Sequence, residues 1–236
     1  MKIEKIKKIK LAELAIFCLM ALCSGVVIGI GAITSLLANH YYAVWGKLIG
    51  ACLFSFGIFV IVSFEMRLFT GMVADIPTLG LNNVWKLPVC FLFNALGVGL
   101  VAIVAFYSPL AGLIVPQGKA LVAAKFSSSN WGLKNFCSAV LCGALITLSV
   151  KSPKYAPQKG LSATVGVMFP IIVCAFCGFD HSVANMMYFY YFGELSLRVV
   201  GYILITIVGN IVGGVALPLI TLLKERALKQ ETARQE

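Results

Sequence analysis

Six apolar runs, at about 11–38, 47–74, 85–108, 131–150, 161–192 and 197–223, divide this chain of 236 residues. A helix rises about 1.5 Å per residue, so ~20 apolar residues cross the ~30 Å hydrocarbon core of a bilayer. Every run is long enough to do so. Composition agrees, with 60% of residues hydrophobic, only 12% charged and a mean hydropathy of +0.96. A soluble domain carries roughly 25% charged residues. A soluble enzyme, a disordered chain and a secreted disulfide domain are therefore excluded, and a helical integral membrane protein is expected.

Nineteen Lys and Arg stand against nine Asp and Glu. No stretch joins basic residues to a soluble fold, so nucleic acid is not the partner, and the excess reads as the positive-inside bias of membrane proteins. With the N-terminus inside, thirteen basic residues fall on inner segments: five in residues 1–10, then Lys86, Lys151, Lys154, Lys159, Lys224, Arg226, Lys229 and Arg234. Five fall outside, Lys47, Lys119, Lys125, Lys134 and Arg198, while Arg67 lies within a run. Both termini are expected in the cytoplasm. Residues 1–10 place Ile3, Ile6 and Ile9 at helical spacing among lysines, the pattern of a basic amphipathic helix on an anionic membrane face. A signal peptide is a poor fit, because the apolar run after it extends to Ala38. The segment is also too short to plug a pore.

The second and fifth runs carry charge within apolar sequence: Phe64-Glu65-Met66-Arg67-Leu68-Phe69-Thr70-Gly71 and Phe179-Asp180-His181-Ser182-Val183-Ala184-Asn185. Ionisable groups at membrane depth are costly and persist where they are paired or line a cavity. Both runs exceed one straight crossing, and Gly71 and Gly178 allow a break, which is tolerated where the freed backbone is buried in protein or faces water. Glu65 and Asp180 lie 115 residues apart, and Asn94 in Phe-Asn-Ala-Leu-Gly-Val-Gly lies 116 before Asn210 in Gly-Asn-Ile-Val-Gly-Gly-Val. Nearly equal offsets suggest a duplicated three-span unit. Three is odd, so the copies run in opposite directions, and an inverted repeat with a broken helix in each half points to a permeation site between them. The expected division is a basic segment at 1–10, a first three-helix repeat at 11–108, an outer loop at 109–130, a second repeat at 131–223 and a cytoplasmic tail at 224–236.

Three motifs in register carry a family resemblance. Leu68-Phe69-Thr70-Gly71 resembles the LFTG signature of the formate/nitrite transporter family. Gly178 to Met186 resembles its GFEHSVANM motif with Asp for Glu, and Gly209-Asn210-Ile211-Val212-Gly213-Gly214 resembles its GNIVGG. The resemblance implies an all-α, aquaporin-like protomer of six transmembrane helices, with helices two and five broken, assembled as a homopentamer in the cytoplasmic membrane. It implies conduction of a small monovalent anion such as formate, nitrite or hydrosulfide. Thr70 would then face His181 across the pore, Leu68 and Phe69 would lie near the outer constriction, and Lys125 would be the basic residue of the outer vestibule. Two positions depart from the family pattern. Ser138 stands where Asn is common, and Cys174 stands where a bulky Phe often forms the inner constriction.

His181 is the leading candidate residue, because imidazole, with an unperturbed pKa of ~6.5, gains and loses protons near neutrality. In a dry pore it would attract an anion or hand it a proton; the simpler alternative is a hydrogen-bonded structural histidine. Thr70 is read as a donor to His181 or the permeant, or as a cap on the broken helix. Glu65 and Asp180 are read as structural acceptors of backbone or Arg67 hydrogen bonds, since a carboxylate repels an anion; Asn94, Asn185 and Asn210 stand beside them. Lys119, Lys125 and Lys134 are candidates for a cationic vestibule, which raises local anion concentration. Lys151, Lys154 and Lys159 are read as topology signals. The aromatic run Tyr188 to Phe192 reads as a membrane-interface belt.

All eight cysteines lie in apolar runs and read as small apolar residues. Cys174-Ala175-Phe176-Cys177 is nevertheless a CxxC pattern, and it supports a rival class, a membrane thiol oxidoreductase. Redox pairs need an exposed, activated thiolate, which an apolar mid-span helix does not offer. Neither a cofactor nor a metal is expected, and no enzymatic turnover. Within transport, proton-coupled symport is the alternative to a passive channel.

Overall fold

The computed structural model describes residues 2–155, 161–193 and 196–235, and among them the regular structure is helical. The elements are α1 (Lys2–Tyr41), α2 (Gly46–Ser63), α3 (Phe69–Met72), α4 (Lys86–Phe106), α5 (Ala111–Lys125), α6 (Trp131–Tyr155), α7 (Leu161–Cys177), α8 (Ser182–Phe192) and α9 (Leu197–Gln235). Short 3-10 turns at Val73–Thr78 and Leu81–Asn83 link α3 to α4. Residues 2–9 continue α1, but their side chains, and with them the expected basic face, lie outside the described residues, as do Lys159 and the side chains of Lys154 and Arg234.

Five segments are long and apolar enough to cross a membrane: 10–41, 46–63, 81–106, 131–153 and 197–233. A sixth candidate is a bent pair, 162–177 with 182–191, meeting at 43°. The distribution of polarity is that of a protein solvated by lipid. On α4, Leu92, Leu96, Leu100 and Ile103 form an exposed apolar stripe, whereas Cys90, Asn94, Gly97 and Val98 on the other face are buried. An apolar outer face on a polar-containing interior suits hydrocarbon and would be an aggregation hazard in water.

The two halves pack alike. α1 lies against α4, α6 lies against α9, and α2 packs on α7 across the halves. Both helix pairs approach so closely that glycine is obligatory. A Cβ on Gly97 would sit 2.1 Å from the Leu22 carbonyl oxygen, and one on Gly213 would sit 1.9 Å from that of Val140.

The helix ends at the two breaks also match. At the end of α2, the Met66 N–H donates to the Ile61 carbonyl and the Glu65 N–H to that of Val62, with Glu65 left-handed at φ 51°. At the end of α7, the Phe179 N–H donates to the Cys174 carbonyl and the Gly178 N–H to that of Ala175, with Gly178 at φ 76°. This is the paired 6→1 and 5→2 closure of a helix C-terminus, which needs one left-handed residue. The equivalences are therefore Glu65 with Gly178 and Arg67 with Asp180, an offset of 113, and the expected match of Glu65 to Asp180 is corrected. Matching the two acids followed side-chain identity, while the backbone closure sets the true register. Gly71, expected to permit the first break, lies inside α3; Glu65 makes the turn.

The 109–130 connection, read as a loop, contains α5. Its Ile114, Gly118 and Val122 recur every four residues and are buried, and the helix packs on α8. Pro116 within it obscured that period. The aromatic run is not an interface belt either. Phe189 and Tyr191 are buried, and the exposed Tyr190 donates its hydroxyl to the Ala95 carbonyl at 2.9 Å. α8 packs against both α4 and α5, so Phe189 and Tyr191 serve as core.

Candidate functional site

Breaking a helix frees backbone groups that lipid cannot satisfy, so the site begins with how each break is held. Asn94 and Asn210 perform the same task. The Asn94 amide donates to the carbonyls of Ala21 (2.7 Å) and Arg67 (2.9 Å), and its Oδ1 accepts from the Phe69 N–H at 2.8 Å. The Asn210 amide donates to the carbonyls of Ala139 (2.9 Å) and Asp180 (2.8 Å), and its Oδ1 accepts from the Ser182 N–H at 2.9 Å. Each asparagine thus ties the residue before the break's end and the first N–H of the next helix to a neighbouring span. Both side chains are essentially inaccessible.

His181 stands at the N-cap of α8, and its Nδ1 accepts the Ala184 N–H at 2.9 Å. A nitrogen that accepts carries no proton, so the neutral ring holds its hydrogen on Nε2. Nε2 lies 3.0 Å from Thr70 Oγ1 and donates to it. The Thr70 hydroxyl hydrogen is thereby left to serve another acceptor. A second ring proton on Nδ1 would replace the Ala184 hydrogen bond with a clash of two donors.

Asp180 is a hub. Its Oδ1 accepts from Lys125 Nζ (2.5 Å), Asn185 Nδ2 (2.9 Å) and the Tyr202 hydroxyl (2.8 Å), and its N–H donates to Ser138 Oγ at 2.9 Å. Ser138, where the family often carries Asn, thus fixes the second break as an acceptor. The partners of the Asp180 carboxylate are Lys125, Asn185 and Tyr202, where Arg67 or backbone groups were expected. Glu65 and Arg67 are exposed on the single chain, and neither side chain makes a hydrogen bond or ion pair among the described residues. Lys125 also lies 5.6 Å from the centre of the Tyr202 ring.

A cavity of about 470 Å³ opens onto these groups. Lys47, Lys125, Gln117 and Asn39 supply polar lining, Phe54, Ile58, Ile146 and Ile171 form apolar wall, and His181, Asn185 and Cys174 also face it. Thr70, Leu68 and Phe69 are buried beyond this lining. Phe69 meets the Phe91 ring edge-on at 5.4 Å. Lys119 and Lys134 are exposed and do not line the cavity. Lys47 does, and sequence reasoning counted it only for topology. Nor was there a motif to flag Gln117 or Tyr202, because each reaches the site from a different helix.

A smaller cavity, about 140 Å³, lies between the turn after α3, α6 and α9, with Thr78, Thr147, Thr221 and Glu225 in its lining. An Asp75–Lys151 ion pair bridges its rim. In the CxxC segment, the sulfur in contact with Cys174 is that of Cys142, at 3.2 Å, and Cys177 is exposed. Among the described residues no cluster of His, Cys, Asp and Glu is fit to hold a metal.

A multi-pass helical membrane protein with a partly cationic cavity over a buried histidine belongs to the broad class of transporters and channels. The family model for formate/nitrite transporters matches residues 2–223, and the chain belongs to that family. Among solved structures, it resembles one described as an FNT family ion channel, with a TM-score of 0.76, 20% identity and 94% of each chain covered. It also resembles a pentameric formate channel with formate bound, with a TM-score of 0.72, 18% identity, and 91% of this chain and 96% of that one covered. At these identities the likeness shows the fold. The sequence matches none of the curated proteins compared with it.

Proposed function

We propose that this protein is a channel for small monovalent anions, with formate, nitrite and hydrosulfide as the candidate permeants, in the cytoplasmic membrane. The single observation that carries the reading is the contact between His181 Nε2 and Thr70 Oγ1 at 3.0 Å, made between the two helix breaks and below a cavity rimmed by Lys47 and Lys125. Both termini lie inside, and the protomer is a six-span inverted repeat with spans two and five broken. The matched Asn94 and Asn210 clasps and the matched C-terminal closures support that repeat. A homopentamer with one pore per protomer is the assembly, in keeping with the pentameric formate channel of similar fold.

Permeation follows from the chemistry of the lining. The two lysines raise anion concentration at the outer mouth. Asp180 compensates the charge of Lys125, so the site attracts an anion without trapping it, and Lys125 keeps two further N–H donors. A monovalent anion entering the apolar wall sheds water and needs donors in exchange. The Thr70 hydroxyl, oriented by the Nε2–H of His181, supplies one. Cys174, expected at the inner constriction, shares the cavity of the outer lysines with Ile146 and Ile171, so these line the outer side of His181. Leu68 and Phe69, buried beyond that cavity, form the apolar constriction on the other side.

The bond from the Ala184 N–H to Nδ1 favours a channel over proton-coupled symport, because loading a second proton onto His181 would uncap α8. Membership of a transporter family, with Cys174 set against Cys142 rather than Cys177, leaves the thiol oxidoreductase without support. Proteoliposome uptake of the three anions tests the proposal. A Thr70→Val variant should lose most flux while remaining folded, and Thr70→Ser should keep it. Equal flux in Thr70→Val and wild type would overturn the role of the hydroxyl.

A further inference from the structure

Cys174 on the cavity wall and Cys142 behind it take no part in the permeation chemistry just described. Cys174 lines the cavity from α7, and Cys142 stands behind it on α6. Their Sγ atoms are 3.2 Å apart, and both residues are buried. A disulfide has an S–S length of about 2.05 Å, so closure asks for an approach of only ~1 Å between sulfurs already in contact. The remaining free thiols are placed differently. Cys52, Cys137 and Cys177 are exposed on the single chain, Cys18 and Cys23 are half-buried, and Cys90 is committed to the Arg67 carbonyl and Asn94.

We propose that Cys142 and Cys174 form a redox modification site within the cavity, closing to a disulfide when a small neutral two-electron oxidant of the peroxide class enters. Cys174 reacts first, because it lines the cavity that Lys47 and Lys125 also line, which gives its sulfur the access and the cationic surroundings that the apolar run alone does not offer. Its sulfur attacks one peroxide oxygen, the O–O bond breaks, and a sulfenic acid and one water result. The Cys142 sulfur then attacks the Cys174 sulfur, the S–O bond breaks, and the hydroxyl leaves with the Cys142 proton as a second water. Two thiols are oxidised, one peroxide is reduced, and no net proton is released.

The consequence follows from where the link lies. Ile146 is one turn after Cys142 on α6, Ile171 is one turn before Cys174 on α7, and both line the same wall. A covalent tie between the helices at this level prevents them from parting as an ion passes, so oxidation slows flux. This last effect rests on the channel reading, whereas formation of the disulfide does not.

The test treats intact purified protein with hydrogen peroxide and measures two things. Digestion and mass spectrometry without reductant should find the Cys142 and Cys174 peptides joined, and dithiothreitol should separate them. Anion flux in proteoliposomes should fall several-fold on oxidation and recover with dithiothreitol, while Cys142→Ser, in which Cys174 can be oxidised but not tied to α6, yields no joined peptides and loses far less flux. Cys142→Ala provides a second variant should the serine protein not elute as a folded oligomer. Unlinked Cys142 and Cys174 in protein whose exposed cysteines have been oxidised would overturn the site. Equal slowing in wild type and both Cys142 variants would also overturn it. If no anion flows before oxidation, the channel reading fails, and the peptide measurement alone decides the site.

Discussion

Replacing Asn210 with Ala removes three hydrogen bonds from the second break. The Ala139 carbonyl lies within α6 and retains a helical partner, but the Asp180 carbonyl and the Ser182 N–H lose theirs in a buried environment. An orphaned buried backbone group costs about 1–3 kcal/mol, and membrane measurements favour the lower part of that range, so the expected loss is about 2–4 kcal/mol. Asn94→Ala orphans the Phe69 N–H and leaves the Arg67 carbonyl only the weak Cys90 thiol donor, and should cost a comparable or slightly smaller amount. Unfolding in mixed dodecyl maltoside and SDS micelles, followed by circular dichroism, measures both. Asn39→Ala is the control; its amide reaches only the Ser35 carbonyl one turn back at an exposed site, and it should stay within ~0.5 kcal/mol of wild type. The reasoning is refuted if Asn210→Ala is as stable as the control. It also fails if the two clasp variants differ by more than ~2 kcal/mol, since the bond sets match apart from the weak Cys90 thiol contacts beside Asn94.

Three further outcomes are expected. Gly213→Ala would bring a Cβ within 1.9 Å of the Val140 carbonyl oxygen and should prevent recovery of folded oligomer by size-exclusion chromatography; near-normal yield would contradict the close helix approach. Glu65→Gly should raise the melting temperature by a few degrees, because a non-glycine residue in the left-handed region costs about 1 kcal/mol. A lower melting temperature would mean that the Glu65 carboxylate has a partner in the assembled protein. Lys47→Gln should reduce anion uptake more at low than at high ionic strength, since salt screens an exposed vestibule charge over ~8–10 Å, and a salt-independent effect would argue against attraction.

Membrane-crossing helices were legible in the sequence because a bilayer imposes a length and a polarity on each; five of the apolar runs correspond to helices long and apolar enough to cross, and the run at 161–192 to a bent pair. His181, Asp180 and the two asparagines stood out because ionisable and amide groups are expensive in apolar sequence, whereas Thr70 was singled out only through the Leu68-Phe69-Thr70-Gly71 resemblance. What sequence could not supply was register. Glu65 and Asp180 look alike as acids, yet the backbone closure pairs Glu65 with Gly178, a relation visible only from φ angles and carbonyl partners. The pairing of Lys125 with Asp180 depends on α5 packing against α8, and that helix was hidden by Pro116 within it. Cys142 escaped notice for a related reason. It meets Cys174 across two helices, while the sequence drew the eye to Cys177, three residues from Cys174 and on an exposed face.

The account's central claim is that His181 and Thr70 together form the anion passage. Stopped-flow uptake of formate, nitrite and hydrosulfide into proteoliposomes containing wild type or His181→Ala tests it most directly. The account predicts rapid uptake of at least one anion by wild type and its near-complete loss in a His181→Ala protein that still elutes as a folded oligomer. Undiminished uptake by that variant, or none of the three anions carried by folded wild type, would contradict it.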